Sequence, residues 1–212
     1  VIPAETQELK ARKLQLAIDE CLKSGIVGLH QAGSGFEDIA VFEDFAKNGD
    51  LKLRLHVMLH GRDSALLNAY FEKGPQIGLY DQHLNIRSIK LYADGALGSR
   101  GAWLLEEYTD AEGVHGHNVT PMSEIEAIVK SGLENGFQMC THAIGDRANR
   151  EVLDIYERAF ESKPTISKDH RFRIEHSQHI HPEDIPRSLS HLAHCTLSLP
   201  CRWKCQRNSG II

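Results

Sequence analysis

Gly136 to Arg147 reads GFQMCTHAIGDR, and this segment contains the clearest strand-to-helix transition in the chain. Residues 137–140 form a short, mostly apolar run typical of a buried strand, and His142 falls where such a strand would end. Gly145 and Asp146 then break the run and begin a helix. In α/β proteins, ligands bind at the carboxyl ends of parallel strands. The segment therefore predicts a strand–helix unit with a histidine at its functional end.

Two other segments share this design. Residues 172–176, FRIEH, end in His176, and residues 89–95, IKLYADG, place Lys90 inside a strand-like run and Asp94 just after it. The predicted strands cover residues 26–30, 51–59, 86–92, 137–142, 171–176 and 195–199. The predicted helices cover residues 5–24, 36–47, 63–73, 123–135, 146–161 and 182–193, with Asp63 as an N-cap and Ser123 with Glu126 as a capping box.

The alternation of strands and helices predicts an α/β fold with a parallel sheet and right-handed crossovers. A complete (β/α)₈ barrel needs eight units and about 250 residues, whereas this chain has 212 residues and six predicted strands. The prediction is therefore a barrel with units missing. No Gly-rich nucleotide-binding pattern is present. Residues 94–121 form a long Gly-rich loop without clear period, and such a loop is usually functional.

Composition and charge argue against several classes of function. A formal net charge of -5 gives no electrostatic reason to expect nucleic-acid binding. No apolar run approaches the ~20 residues that span a membrane, and the first residues show no signal-peptide pattern. Five cysteines without a C-x-x-C pair indicate reduced thiols in a cytoplasmic protein. The sequence contains no indication of the oligomeric state.

His142 and His176 are the principal candidates for metal ligands. Each ends or follows a predicted strand. Neutral imidazole is a common zinc ligand, and metal sites in barrels take ligands from several strand ends. The alternative is that each histidine is a hydrogen-bonded polar residue near the core. The matching positions of the two histidines on consecutive strands favour the ligand role.

Lys90 is the third candidate ligand. It lies between Ile89 and Leu91 in a predicted strand, and a lysine inside a barrel is costly unless it is paired or modified. Burial favours the neutral amine, which takes up carbon dioxide to form a carbamate, an oxygen ligand suited to bridging two metals. The alternative, which spacing alone favours, is a strand lysine that reaches solvent.

Other polar residues have less specific signals. Asp94 is expected to orient a ligand or to cap the loop, Asp146 to cap its helix, and Glu175 to pair with an arginine of the outer layer. Arg100 and Trp103 in the long loop are candidates for substrate contact, with a solvated arginine as the alternative. Three histidines near predicted strand ends show no partner signal and are expected to be bystanders: His30, His56 and His60. Three cysteines lie close together towards the end of the chain, but the absence of a matching second pair argues against a zinc site there: Cys195, Cys201 and Cys205.

Three longer motifs extend these observations. They are IKLYADGALGSRG at 89–101, HAIGDR at 142–147 and RIEHSQ at 173–178. In sequence and order they resemble the signature segments of the amidohydrolase superfamily, specifically its amidohydrolase 3 group, over roughly residues 10 to 187. The resemblance implies a metal-dependent hydrolase that acts on carbon–nitrogen bonds other than peptide bonds in a small amide-type substrate. It also implies a distorted (β/α)₈ barrel with a small β-sandwich formed by the two ends of the chain.

By this resemblance, Lys90 is the carbamylated bridging ligand from the fourth barrel strand, and His142 and His176 are ligands from the fifth and sixth strands. Together they would hold one divalent ion. The resemblance implies one or two such ions in the family's complete site, and zinc is the expected metal. The implied mechanism is attack of a metal-activated hydroxide on a carbonyl carbon. The predicted catalytic and metal-binding residues are thus Lys90, His142 and His176, and the predicted substrate-binding residues are Arg100 and Trp103.

The sequence departs from the family pattern in three respects. The His-x-His pair of the first barrel strand and the aspartate of the eighth strand have no counterpart, and residues 188–212 do not continue the pattern. Together with Val1 as the first residue, these departures predict a fragment of about strands two to seven, lacking the first and last strands and the β-sandwich. Residues 1–187 would be the incomplete barrel, and residues 188–212 a divergent tail from a frameshift or an alternative exon.

Two alternatives remain open. One is a non-catalytic binding or regulatory module of the same fold, that is, a truncated pseudo-enzyme. The other is a metal-free barrel in which the histidines act as acid and base. Stoichiometric metal binding separates the hydrolase from the binding module, and activity that persists with a chelator would favour the metal-free barrel.

We expect the isolated 212-residue chain to be unstable or inactive. An incomplete barrel leaves two sheet edges with unpaired backbone groups, and the metal site lacks its first-strand ligands. The measurements are thermal unfolding of the purified chain and hydrolysis of small amides, with a complete amidohydrolase as the positive control. Robust turnover by the 212-residue chain would contradict this expectation.

Overall fold

The computed structural model describes residues 5–165 and 170–191, with side chains as far as Ser188. The strands are β1 (Gly28–Ser34), β2 (Arg54–His60), β3 (Gln76–Gly78), β4 (Leu84–Tyr92), β5 (Gln138–Ala143) and β6 (Arg173–His176). The helices are α1 (Gln7–Lys23), α2 (Phe36–Lys47), α3 (Ser64–Lys73), the short α4 (Leu79–Gln82), α5 (Met122–Glu134), α6 (Asp146–Ser162) and α7 (Ile185–His191). Strands and helices alternate along the chain, which confirms the predicted α/β class. No helix within these residues is long and apolar enough to cross a membrane.

Helix boundaries largely agree with the predicted ones. Residues 36–47 form α2 as expected, and Asp63 caps α3 by accepting a hydrogen bond from the Leu66 amide at 3.0 Å. Such a cap satisfies an amide that the helix itself leaves without a partner. The prediction of a capping box at Ser123 is wrong, because α5 begins one residue earlier, directly after Pro121. The fixed φ of proline is compatible with a helix start.

The described residues form two compact units, which divide between Lys90 and Leu91 within β4. In the first unit, β1, β2 and β4 are parallel neighbours, and the short β3 pairs antiparallel with β4. The sequence did not predict β3, because three residues are too few to show periodicity. The buried apolar side chains of these strands include Leu55, Val57, Leu59, Leu84, Ile86 and Ile89.

In the second unit, β5 and β6 are parallel neighbours. The residue after β4 also joins β5, because the Ala93 amide donates to the His142 carbonyl at 2.8 Å. From α6, the fully buried Tyr156 reaches this sheet, and its hydroxyl contacts the Thr141 hydroxyl at 2.7 Å and the Arg173 carbonyl at 3.1 Å. Burial raises the pKa of Tyr156 above its ordinary value, so the phenol stays protonated. One side chain therefore fixes the helix against both strands.

We expect Tyr156→Phe to lower the free energy of unfolding by about 1–2 kcal/mol, because buried polar groups on both strands lose a partner. Thr141→Val removes the other hydroxyl of the pair at similar volume. Urea unfolding of both single variants and the double variant measures their coupling. The double variant should lose less stability than the sum of the single variants. Strictly additive losses would show that the two hydroxyls do not interact.

Candidate metal centre

His142 and His176 lie together in the second unit. Their ring centroids are 4.6 Å apart, with the ring planes at 73°. The register of β5 and β6 places Ala143 beside His176, so the two histidines stand at the same end of adjacent parallel strands. The structure therefore brings two of the predicted ligands into one place, at the carboxyl end of the strands, where such folds bind ligands.

The two imidazoles have different surroundings. The His142 side chain is 12% exposed, and its Nε2 atom is buried without a hydrogen-bond partner among the described residues. His176 is exposed and has a φ of 74°, and the following Ser177 also has a positive φ. Left-handed backbone is strained for residues with a Cβ, and such strain is concentrated at functional sites. The strand thus ends abruptly at the second histidine.

Asp94 lies beside His142 with its side chain fully buried. Its Oδ2 atom accepts the backbone N–H groups of Trp103 and Gly145, each at 2.8 Å, and Oδ1 accepts that of Ile144 at 2.9 Å. Oδ1 also lies 3.4 Å from Nε2 of His142. The carboxylate therefore connects the long loop to the residues that directly follow the predicted ligand. The expectation that Asp94 caps the loop is confirmed, whereas its partners after β5 left no signal in the sequence.

The loop between β4 and α5 is held by local contacts. Asp146, predicted to cap α6, is the first residue of that helix, and its carboxylate accepts the Leu105 amide at 2.8 Å. The Trp103 carbonyl accepts the Ala148 amide of the same helix at 3.2 Å. A small apolar cluster packs within the unit and consists of Ala102, Tyr108 and Ile144, with Leu97, Leu104 and Ala111 against them. The loop is therefore built onto the start of α6.

The two residues predicted to contact substrate have different environments. Arg100 is exposed and forms a two-point ion pair with Asp110, with the shorter N–O distance at 2.8 Å, and this hydrogen bonding raises the pKa of Arg100. Trp103 is half-buried, and the guanidinium carbon of Arg147 lies 4.5 Å from its ring centroid. This is a cation–π contact that the sequence did not predict. The substrate role of Arg100 and Trp103 stays a prediction.

Lys90 lies in the part of β4 that belongs to the first unit. It is only 4% exposed, which argues against a solvent-facing lysine. In the parallel register of β2 and β4, Lys90 is the partner of His60, a residue that the sequence offered no reason to select. A buried lysine requires a partner or a modification. Its role as a metal ligand stays a prediction.

The remaining candidates have structural partners. Oε1 of Glu175 lies 2.7 Å from the Arg173 guanidinium, so its arginine partner is on the same strand rather than in the outer layer. His30 and His56 stack with centroids 4.6 Å apart, and Nε2 of His56 lies 2.6 Å from the Ser88 hydroxyl. Two features of the sequence lie outside the described residues, namely the predicted strand at 195–199 and the cysteines whose spacing argues against a zinc site, Cys195, Cys201 and Cys205.

The donors at the paired histidines suit a divalent ion. Imidazole nitrogens bind zinc and other first-row metals, and rings 4.6 Å apart are close enough to share one ion. Within residues 5–165 and 170–191, no group of three or more His, Cys, Asp or Glu residues is arranged to hold a metal. Among the described residues, the paired histidines are therefore two donors without a third of these residue types.

The sequence is similar to known proteins along most of its length. A model described as the amidohydrolase family matches residues 1–199. The chain is 32% identical over 147 residues to Protein LONG AFTER FAR-RED 3 of Arabidopsis thaliana, covering 69% of this chain and 24% of that protein. It is 29% identical over 192 residues to the putative amidohydrolase YtcJ of Bacillus subtilis (strain 168), covering 88% of this chain and 34% of that protein. The chain thus spans about a quarter to a third of the length of these relatives.

Two solved structures share the fold. An uncharacterized metal-dependent hydrolase from Pyrococcus furiosus superposes with a TM-score of 0.74 at 26% identity, over 88% of this chain and 37% of that chain. Another from Pyrococcus horikoshii OT3 gives the same TM-score at 23% identity, over 86% of this chain and 35% of that chain. These matches, with the parallel strands and flanking helices, confirm the predicted partial (β/α)₈ barrel.

We expect Gly145→Ala to disrupt the junction between β5 and α6. An added Cβ would fall on the carbonyl of Trp103, and backbone atoms have little freedom to move away. The φ of Gly145 is -72°, so the cost comes from this contact rather than from backbone conformation. We expect a loss of at least about 2 kcal/mol in the free energy of unfolding, measured by urea titration.

Gly98→Ala is the matched control for this change. No atom lies within 4 Å of the position that its Cβ would take, so we expect an effect below about 0.5 kcal/mol. Similar losses for both variants would contradict the close approach of the Trp103 carbonyl to Gly145.

Proposed function

Because this chain belongs to the amidohydrolase family, we propose that the protein is a metal-dependent hydrolase of carbon–nitrogen bonds other than peptide bonds. The observation that carries the proposal is the convergence of His142 and His176, whose rings lie 4.6 Å apart at adjacent strand ends. Both solved structures of this fold are described as metal-dependent hydrolases. A divalent ion, with zinc as the first choice, would be held by these imidazoles.

Lys90 is the proposed third ligand, as a carbamate. Two facts support it: the residue is buried in β4, and the described part of the chain offers no third His, Cys, Asp or Glu arranged for metal binding. A carbamate would convert this buried cation into an anionic oxygen donor, a type of ligand that divalent zinc accepts. The ligand set is therefore two neutral imidazoles and one anionic oxygen group.

When bound, the ion would supply a hydroxide nucleophile at neutral pH and polarise the carbonyl of the substrate. The residues of this chain have supporting roles. His142 and His176 would hold the cation. The buried Asp94 keeps the segment after His142 in place through two backbone hydrogen bonds and ties it to the long loop through a third, from Trp103. The proposed substrate is a small amide-type molecule that contacts Arg100 and Trp103 in the long loop.

A non-catalytic binding module of the same fold is the second candidate. The observation that favours it is that the imidazole pair has no third ligand of the usual residue types among the described residues. A protein without a complete ligand set would keep the fold and lose the metal. Metal content therefore distinguishes the two functions.

We expect the purified protein to bind a divalent metal stoichiometrically, and His142→Ala and His176→Ala each to lose most of it, because each removes one ligand. Elemental analysis after dialysis against zinc measures the bound metal. His115→Ala is the control, because His115 is an exposed histidine of the long loop. Undiminished metal in both ligand variants would contradict the proposed site, and a metal-free wild type would favour the binding module.

A further inference from the structure

The Asp94 carboxylate has one acceptor position left after its backbone contacts. An ionised carboxylate offers about four such positions, two on each oxygen. The amides of Trp103 and Gly145 fill both positions on Oδ2, and the amide of Ile144 fills one on Oδ1. Oδ1, the oxygen with the remaining position, lies 3.4 Å from Nε2 of His142.

An acceptor that faces Nε2 determines where the proton of a neutral imidazole resides. Such a ring has one N–H group and one lone pair, and a lone pair on Nε2 would repel the carboxylate. Nε2 is buried and has no hydrogen-bond partner in the described part of the chain, so the Asp94 carboxylate is the acceptor that these residues place beside it. A proton on Nε2 removes the repulsion and leaves the lone pair on Nδ1.

We infer that Asp94 is a positioning residue that holds His142 in the Nε2–H tautomer, so that Nδ1 is the atom presented to the cation. Metal-ligating histidines commonly donate their second N–H to a carboxylate in this way. The 3.4 Å separation is longer than an ordinary hydrogen bond, and hydrogen bonds in active sites commonly shorten when the ligand binds. The role of the cation rests on the proposed function, whereas the tautomer follows from the contacts alone.

Asp94→Asn has a specific consequence for the tautomer. Asparagine keeps the shape of aspartate but has one carbonyl oxygen and one NH₂ group. Placing the oxygen at the Oδ2 position keeps the hydrogen bonds from Trp103 and Gly145, whereas the opposite orientation keeps only the one from Ile144. The favoured orientation aims the NH₂ group at His142. Nε2 then becomes the acceptor, and the proton moves to Nδ1.

Asp146→Asn is the matched control for loss of loop support. The Asp146 carboxylate also accepts two backbone N–H groups, from Leu105 at 2.8 Å and from Arg147 at 2.9 Å. It joins the same loop to the same helix, and neither contact involves an imidazole. An effect on His142 that is specific to Asp94 will therefore be absent from this variant.

The first test is a nitrogen–proton correlation NMR spectrum of the histidine rings in the metal-free protein, with His142→Gln used to assign the signal. In the wild type we expect a pyrrole-type signal for Nε2 and a pyridine-type signal for Nδ1, and the reverse in Asp94→Asn. Asp146→Asn should keep the wild-type pattern. An Nδ1–H tautomer in the wild-type protein would overturn the inference, whether or not the variants fold.

The second test is zinc affinity, measured by competition with a chromophoric chelator. We expect Asp94→Asn to weaken zinc binding by about 10- to 100-fold and Asp146→Asn to leave it unchanged. An equal loss of zinc affinity in both variants would overturn the inference, because it would show that Asp94 acts only by stabilising the loop. If the wild-type protein has the Nε2–H tautomer but does not bind zinc, the result would support the positioning of His142 by Asp94 and contradict the proposed function.

Discussion

One buried carboxylate, that of Asp94, connects the long loop of the second unit to the junction between β5 and α6. The amides that it accepts belong to Trp103 in the long loop and to Ile144 and Gly145 between β5 and α6. Buried amides outside helices and strands need a partner, and an ionised acceptor forms stronger hydrogen bonds than a neutral one. The position of His142, the last polar residue before this junction, therefore depends on a side chain that is not itself a proposed ligand.

The close approach of backbone to backbone explains two of the glycines in this region. A Cβ at Gly145 would fall on the carbonyl of Trp103, and one at Gly116 would fall on that of Ala102. Gly116 also has a φ of 71°, a conformation that side chains with a Cβ rarely adopt. The long loop thus packs against the start of α6 and against itself with backbone atoms, which holds Trp103 beside the end of β5.

The segment after His176 is fixed from the other side by charged and polar contacts to α6. Asp184 is 2% exposed and pairs with Arg150 and Arg187, each at 2.8 Å. Asn149 of α6 donates to the His179 carbonyl at 3.0 Å. A buried carboxylate requires such partners, so this arrangement gives the chain a defined path after the left-handed turn at His176. The two imidazoles are therefore held by contacts that lie outside the proposed ligand set.

The sequence by itself determined the order and type of the main elements, because apolar periodicity and signals such as the Asp63 cap act over a few neighbouring residues. It also indicated His142 and His176, since both lie at predicted strand ends. One local signal was misleading: the capping-box pattern at Ser123 predicted the wrong helix start, because the helix begins directly after Pro121.

Only the tertiary structure decided that the two rings lie 4.6 Å apart, that Lys90 is buried in register with His60, and that Asp94 accepts three amides from distant segments. These facts depend on strand register and on the path of a long loop. Neither leaves a periodic trace in the sequence, because both are set by contacts between residues far apart in the chain.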